Sequence, residues 1–407
     1  MTASSREDAR NLTGAMNPLK TSRRTIIKIG SSLLVDRKTG RLNRAWLTSL
    51  GDDVARLKSR GQDVVIVSSG AIALGRKELG LQQGTLRLEE SQAAAAAGPI
   101  RLAHDYEDVL KPKGIVIAKI LLTLTDTEER RRYLNARSTF ETLLRVGAVP
   151  IVNENDTVAT SEIRYGDNDR LAARVAQMIS ADCLILLSDI DGLYDRDPTK
   201  FDDAVPVPVV HEVNDSIKAM ASPVSPRDAV RLGSGGMETK LAAAEICLNA
   251  GCTMVIGNGH ALRPVEAIEN GARCTWFLPK ANPLTARKQW ISGSLKPKGT
   301  LTVDAGAVVA ISQGKSLLPA GVRELEGRFE RGDAVRIVDA VGKEIARGIS
   351  AYSSADAKKI MGHNSGQIEE LLGYRGRAAM VHADDLALNR RGPARGDGEN
   401  TSQVQNT

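Results

Sequence analysis

Six short, almost wholly apolar runs rich in β-branched residues recur along the first two-thirds of the chain. They are RTIIKIG from Arg24, DVVIVSSG from Asp63, GIVIAKI from Gly114, AVPIVN from Ala148, DCLILLSD from Asp182 and CTMVIG from Cys252. Longer segments of helical period separate them, so the region from Arg23 to about Leu278 alternates strand and helix. A strand with no polar alternate face is covered on both sides, which makes the expected fold α/β: a three-layer αβα sandwich with a largely parallel central sheet. The alanine run Ala93–Ala97 reads as a helix pressed against that sheet.

At 407 residues the chain exceeds one ordinary domain. Between Pro279 and Lys298 three prolines and the basic stretch TARKQW interrupt the alternation. Beyond them GTLTVDAGAVVAI, GDAVRIVDAVGKEIARGISAY and GRAAMVHADDL read as a small β-barrel with one helix near Ser354–Met361. The expected organisation is a disordered tail over 1–22, a catalytic domain over 23–280, a linker over 281–297, a small mostly-β domain over 298–387 and a disordered tail over 388–407.

Composition narrows the function. Mean hydropathy is −0.20 and no apolar run approaches the roughly 20 residues of a membrane helix, so no bilayer span is expected. The first twenty residues lack the apolar centre of a secretory signal, which points to the cytoplasm. Four cysteines form no CxxC pair and five histidines no HxxxH pair, so a protein-held zinc site is not expected and the thiols read as reduced core residues. The net charge of +6 suits anionic ligands, while 3% aromatics leave few stacking surfaces for single-stranded nucleic acid.

In open parallel sheets ligands bind beyond the carboxyl ends of the strands, and those ends carry the chemistry here. Lys28 is followed by the turn Gly30-Ser31-Ser32, whose N–H groups suit a phosphate oxygen; a solvated lysine beside a tight turn is the plain alternative. Ser68-Ser69-Gly70 admits a substrate closely, or simply caps a helix. Asn153-Glu154-Asn155-Asp156 and, ten residues on, Gly166-Asp167-Asn168-Asp169 flank one short excursion. Together they look like a pocket for a zwitterion, amides for its carboxylate and acids for its ammonium, although each alone is ordinary turn chemistry. Ser188-Asp189 ends another strand where an adenine or ribose could lie. Gly233-Ser234-Gly235-Gly236-Met237-Glu238-Thr239-Lys240 leads into a clear helix and forms an anion site of neither the GxxxxGK[ST] nor the GxGxxG type.

Read in order, IKIGSS, VSSGAIALG, NEND, YGDND, LSDIDGLYDRDP and GSGGMETK resemble the amino-acid kinase superfamily, most closely its members that phosphorylate the side-chain carboxylate of glutamate. The segment from about Lys298 to Asp385 resembles a PUA domain. The resemblance implies attack of the glutamate γ-carboxylate on the γ-phosphate of ATP, with Mg²⁺ carried in by the nucleotide. It implies Lys28 and Lys240 on the transferring phosphates and Asp169 holding both lysines. It places Ser69, Asp156, Asn168 and Asp167 on glutamate. Lys28, Ser188, Asp189 and the loop Ser234, Gly235, Gly236, Met237, Glu238, Thr239 and Lys240 fall to ATP. Ser188 and Glu238 depart from the family's usual threonine and small polar residue. The resemblance further implies inhibition by proline, a homo-oligomer and a transient contact with the reductase that consumes the product. Two alternatives stand beside it: a superfamily member with another acceptor, and an RNA-binding protein acting through the PUA-like domain. RNA binding is not expected, because Arg323, Arg328, Arg331 and Arg336 are interleaved with Glu324, Glu326, Glu330 and Asp333.

Overall fold

All six apolar runs contribute strands: β1 Arg24–Ile29, β2 Asp63–Ser68, β3 Ile117–Leu122, β4 Val149–Glu154, β5 Cys183–Ser188 and, after the short β6 Val209–Val210, β7 Thr253–Asn258. With β8 Cys274–Phe277 they form one eight-stranded sheet in the order β3-β4-β2-β1-β5-β7-β8-β6. The six long strands are parallel, and β8 turns back antiparallel on β7 with β6 parallel to it. The computed structural model describes residues 17–36, 39–81, 86–157, 168–221, 236–293 and 296–389. No helix among them is long and apolar enough to cross a membrane.

Side-chain alternation along the strands divides the core into two layers. Ile27, Ile29, Val64, Ile66, Ile185 and Leu187 face one side, where Trp46 and Leu50 of the helix Arg44–Ser59 and Leu102 and Tyr106 of the helix Leu88–Leu110 cover them. Ile26, Val65, Val67, Leu184 and Leu186 face the other, under Leu171, Val175 and Met178 of the helix Asn168–Ile179 and Leu241 and Ala244 of the helix Met237–Asn249. Of the long strands, β3 is the least buried. It lies at the sheet edge, so Lys119 and Leu121 are exposed there. Cys183, Cys247 and Cys252 are buried free thiols, and burial raises the first two well above the ordinary thiol value.

The expected tail over 1–22 requires correction at its end. Asn17 caps the short helix Pro18–Thr21 by accepting from the Leu19 N–H, and its amide donates to the Glu269 carbonyl at 3.2 Å. Leu19 is fully buried, while the Gln62 amide donates to the carbonyls of Leu19 and Ser22. The side-chain cap and the buried leucine supply what a loose tail lacks. Residues 1–16 and 390–407, the rest of the expected tails, lie outside the described residues.

The chain divides into two compact units, 1–287 and 288–407. Within the stretch read as a linker, Pro283–Gly293 forms a helix. The second unit holds β9 Gly299–Val303, β10 Val322–Gly327, β11 Ala334–Val338, β12 Glu344–Ile349 and β13 Leu386–Leu388, in the sheet order β10-β9-β11-β12-β13. The expected helix is present as Ser354–Ile360. The second half of GTLTVDAGAVVAI is not β structure. Asp304 accepts from the Ala307 N–H and starts a helix over Ala305–Ser312. Among the interleaved charges Arg323 pairs with Asp304 at 2.7 Å and Asp333 with Lys298 at 3.1 Å.

The alanine run lies in the helix Leu88–Leu110, and its small residues allow a backbone-to-backbone approach to the helix Ala71–Glu78. A Cβ on Gly98 would stand 1.7 Å from the Ala71 carbonyl oxygen, and one on Gly75 would stand 1.9 Å from that of Ala94. Alanine is the better helix former by about 1 kcal/mol, but here the clash is with backbone and cannot be relieved by a rotamer. Gly98→Ala is therefore expected to destabilise the protein by about 1–3 kcal/mol. A lowered urea midpoint checks this, and an unchanged or raised midpoint contradicts it.

Candidate active site

Lys28 alternates with Ile26 on β1 and so emerges on the face covered by the helices Asn168–Ile179 and Met237–Asn249. It sits between Val67 of β2 and Leu186 of β5. Asp169 occupies the first turn of the helix Asn168–Ile179, where an acid is favoured, and the buried residues Leu171, Val175, Met178 and Ile179 keep that helix in place. Lys240 lies in the first turn of the helix Met237–Asn249, which packs against the helix of Asp169.

These three side chains meet. The Lys28 ammonium contacts one oxygen of Asp169, and the Lys240 ammonium donates to the other at 3.1 Å. Asp169 is 0% exposed, Lys240 5% and Lys28 8%. Burial by itself would push the Asp169 carboxyl up, but Lys28 and then Lys240 outweigh it and hold the carboxyl below the ordinary aspartate value. An ammonium has three N–H donors, so the contact with Asp169 does not exhaust Lys28. Gly236, the residue before the helix of Lys240, makes no side-chain cap bond. The Thr239 and Lys240 N–H groups donate to the Gly236 carbonyl, and those of Met237 and Glu238 open the helix beside Lys240, where an anion is favoured.

A second group of residues lies at the ends of β2 and β4. The Asn168 amide nitrogen donates to Ser69 Oγ at 2.8 Å and to Asn153 Oδ1 at 3.2 Å. Asn153 Oδ1 also accepts from the Glu154 N–H at 2.9 Å, which identifies it as the oxygen and fixes the orientation of the Asn168 amide. The buried Asn168 Oδ1 has no hydrogen-bond partner among the described residues. Asp156 is half-buried in the turn that follows β4. At the end of β5, one strand from Lys28, Ser188 donates to the exposed Asp189 at 3.0 Å. Gly236, Met237 and Thr239 are half-buried around the start of the helix, with Thr239 donating to the Gly236 carbonyl, and Glu238 is exposed. Asp167, Ser234 and Gly235 lie outside the described residues.

Two residues outside the expected ligand set belong to this region. Asn153 opens the polar cluster that the sequence shows, and with Glu154 it closes β4. Tyr106, which donates to Ser68 Oγ at 2.9 Å, comes from a helix 38 positions further on and gave no signal.

Residues 23–258 match the amino acid kinase family and residues 299–372 the PUA domain. The chain belongs to the amino acid kinase family, a family of phosphotransferases. A protein named Glutamate 5-kinase from Paramagnetospirillum magneticum is 60% identical over 373 residues, covering 92% of this chain and 100% of that one. Another of the same name from Agrobacterium fabrum is 56% identical over 371 residues, 91% of this chain and 94% of that one. The solved carbamate kinase from Giardia lamblia bound to AMP-PNP superposes with a TM-score of 0.46 at 15% identity, covering 64% of this chain and 100% of that one, too loosely to bear on the chemistry.

The lowered Asp169 value fixes a sign. A carboxyl whose folded value lies below its unfolded one stabilises the protein fully above the unfolded value, about 3.8, and loses that contribution as pH falls through the folded value. The stability difference between the wild-type protein and Asp169→Asn is expected to be constant above about pH 5 and to shrink in acid below about pH 4. Urea unfolding followed by tryptophan fluorescence measures it. A difference that does not change with acid contradicts the ion-paired state.

Proposed function

We propose that the chain transfers the γ-phosphoryl group of ATP to the γ-carboxylate of L-glutamate, giving L-glutamyl 5-phosphate and ADP. In this reading it opens proline synthesis from glutamate in the cytoplasm. The observation that carries it is the meeting of Lys28 and Lys240 on the single buried carboxylate of Asp169. The names of the relatives supply the acceptor.

A glutamate side chain has a pKa of about 4.3, so the nucleophile is already ionised at neutral pH and no general base is required. The barrier is the approach of an anion to a polyanion. Lys28 and Lys240 lower it by neutralising oxygens of the migrating group, and Asp169 keeps both amines in place while the charge moves. The helix start at Met237–Lys240, with Ser234, Gly235 and Gly236 before it, receives the phosphate chain, and Ser188 and Asp189 face the nucleoside. Two ammonium groups on one carboxylate suit phosphate oxygens and not a cation, so Mg²⁺ would be carried by the nucleotide and not by these side chains, and would supply charge screening there. Glutamate is held by Ser69, Asn168, Asp156 and Asp167. The Asn168 Oδ1, its amide nitrogen committed to Ser69 and Asn153, is an acceptor for the substrate ammonium, and Asp156 adds the opposite charge. Proline, smaller and also zwitterionic, inhibits at or beside this pocket. The working enzyme is a homo-oligomer that meets the reductase of its labile product transiently.

Lys240→Ala is expected to lower kcat by at least about 100-fold, the scale for one preorganised electrostatic contact; near-normal ADP release would reject its role. Asp156→Ala is expected to raise KM for glutamate far more than KM for ATP, and equal rises would place Asp156 outside the glutamate pocket.

A further inference from the structure

Ser68, the last residue of β2, and Ser69, the first beyond it, face opposite sides of the sheet. Val64 and Ile66 point into the layer that contains Tyr106, and the alternation carries Ser68 to the same side. Ser69, the next residue, reaches the other side, where its hydroxyl accepts from Asn168 beside the buried Lys28–Asp169–Lys240 cluster. Ser68 is fully buried, and Tyr106 is 1% exposed. The Tyr106 hydroxyl donates to Ser68 Oγ at 2.9 Å, and Ser68 Oγ in turn donates toward the Ser69 carbonyl at 3.3 Å. Burial pushes the Tyr106 phenol far above its ordinary value, so it remains a donor throughout the working pH range.

The same helix holds the turn a second time. Gly98 lies against the Ala71 carbonyl, directly after Gly70, whose backbone is left-handed with φ of 93°. Helix Leu88–Leu110 therefore grips both ends of the stretch Ser68–Ala71, at one end by a hydrogen bond and at the other by backbone contact. The phenol and the reacting groups lie on opposite faces of the sheet, and the serine pair is the hydrogen-bonded link between them.

We propose that Tyr106 is a positioning residue for the acceptor pocket, acting through Ser68 to fix the Ser69 hydroxyl and its Asn168 partner. This rests on the reading of Ser69 and Asn168 as glutamate ligands. Removing the phenol oxygen leaves Ser68 Oγ buried without its donor and lets the serine pair rotate. Lys28, Asp169 and Lys240, on other elements, stay where they are.

The test is steady-state kinetics of the full chain with glutamate, ATP and Mg²⁺, comparing wild type, Tyr106→Phe, Ser68→Ala and the double variant. Tyr106→Phe is expected to raise KM for glutamate about three- to tenfold, the effect of one lost buried hydrogen bond. KM for ATP and kcat should stay within about twofold of wild type. Ser68→Ala should reproduce the rise, and the double variant should be no worse than either single one, because both act through one contact. An unchanged KM for glutamate, equal rises for both substrates or an additive double variant overturns the positioning role alone. If Tyr106→Phe does not fold, Ser68→Ala decides by the same split. A wild-type protein that does not phosphorylate glutamate overturns the functional reading and this proposal together.

Discussion

One carboxylate, that of Asp169, is removed from water and shared by two ammonium groups, and the catalytic unit is arranged around that contact. Burying a charge costs several kcal/mol, and only close pairing offsets it. The pairing needs three elements far apart in sequence: the end of β1, the first turn of the helix Asn168–Ile179 and the first turn of the helix Met237–Asn249. Each is held by ordinary apolar packing in the layer that contains Leu171, Val175, Met178 and Leu241. The hydrophobic core thus sets the positions of the charges, and the charges set what the core can serve.

The opposite ends of the strands are tied by different means. Arg24 pairs with Asp63, and Asp182 accepts from the backbone N–H groups of Arg23 and Arg24, which joins the starts of β1, β2 and β5. On the layer away from Asp169, the buried Glu269 binds Arg56 and Arg60, and Asp53 accepts from the Val265 and Glu266 N–H groups at a helix start. Burial tends to raise the Asp53 carboxyl, against the lowering effect of Arg56 and those N–H donors, and its value ends above the ordinary one. Such networks fix strand starts and helix ends, and they leave the carboxyl ends of the strands for chemistry.

Much of this is legible in the amino-acid sequence. The apolar runs gave the strands because coverage on both faces leaves a plain mark, and Lys28 stood out as a charge inside one of them. Asp169 and Lys240 were legible as polar residues at helix starts, although their meeting rested on a family resemblance and not on spacing. Local competition defeated the reading elsewhere. Val308 and Val309 suggested a strand, but the cap at Asp304 commits Ala305–Ser312 to a helix. Asn17 and Pro18 carried a helix-start signal that the polar residues before them obscured. Tyr106 could not be found at all, because its contact with Ser68 depends on how one helix is turned against the sheet.

Asp169, as the group that holds both amines at the transferring phosphate, is the residue on which the proposed transfer depends. The direct measurement is kcat for ADP release by Asp169→Asn with saturating glutamate, ATP and Mg²⁺. A fall of about 100-fold or more is expected in a protein that remains folded, since the amide keeps the shape but loses the charge that both ammonium groups share. Turnover within about twofold of wild type would contradict it.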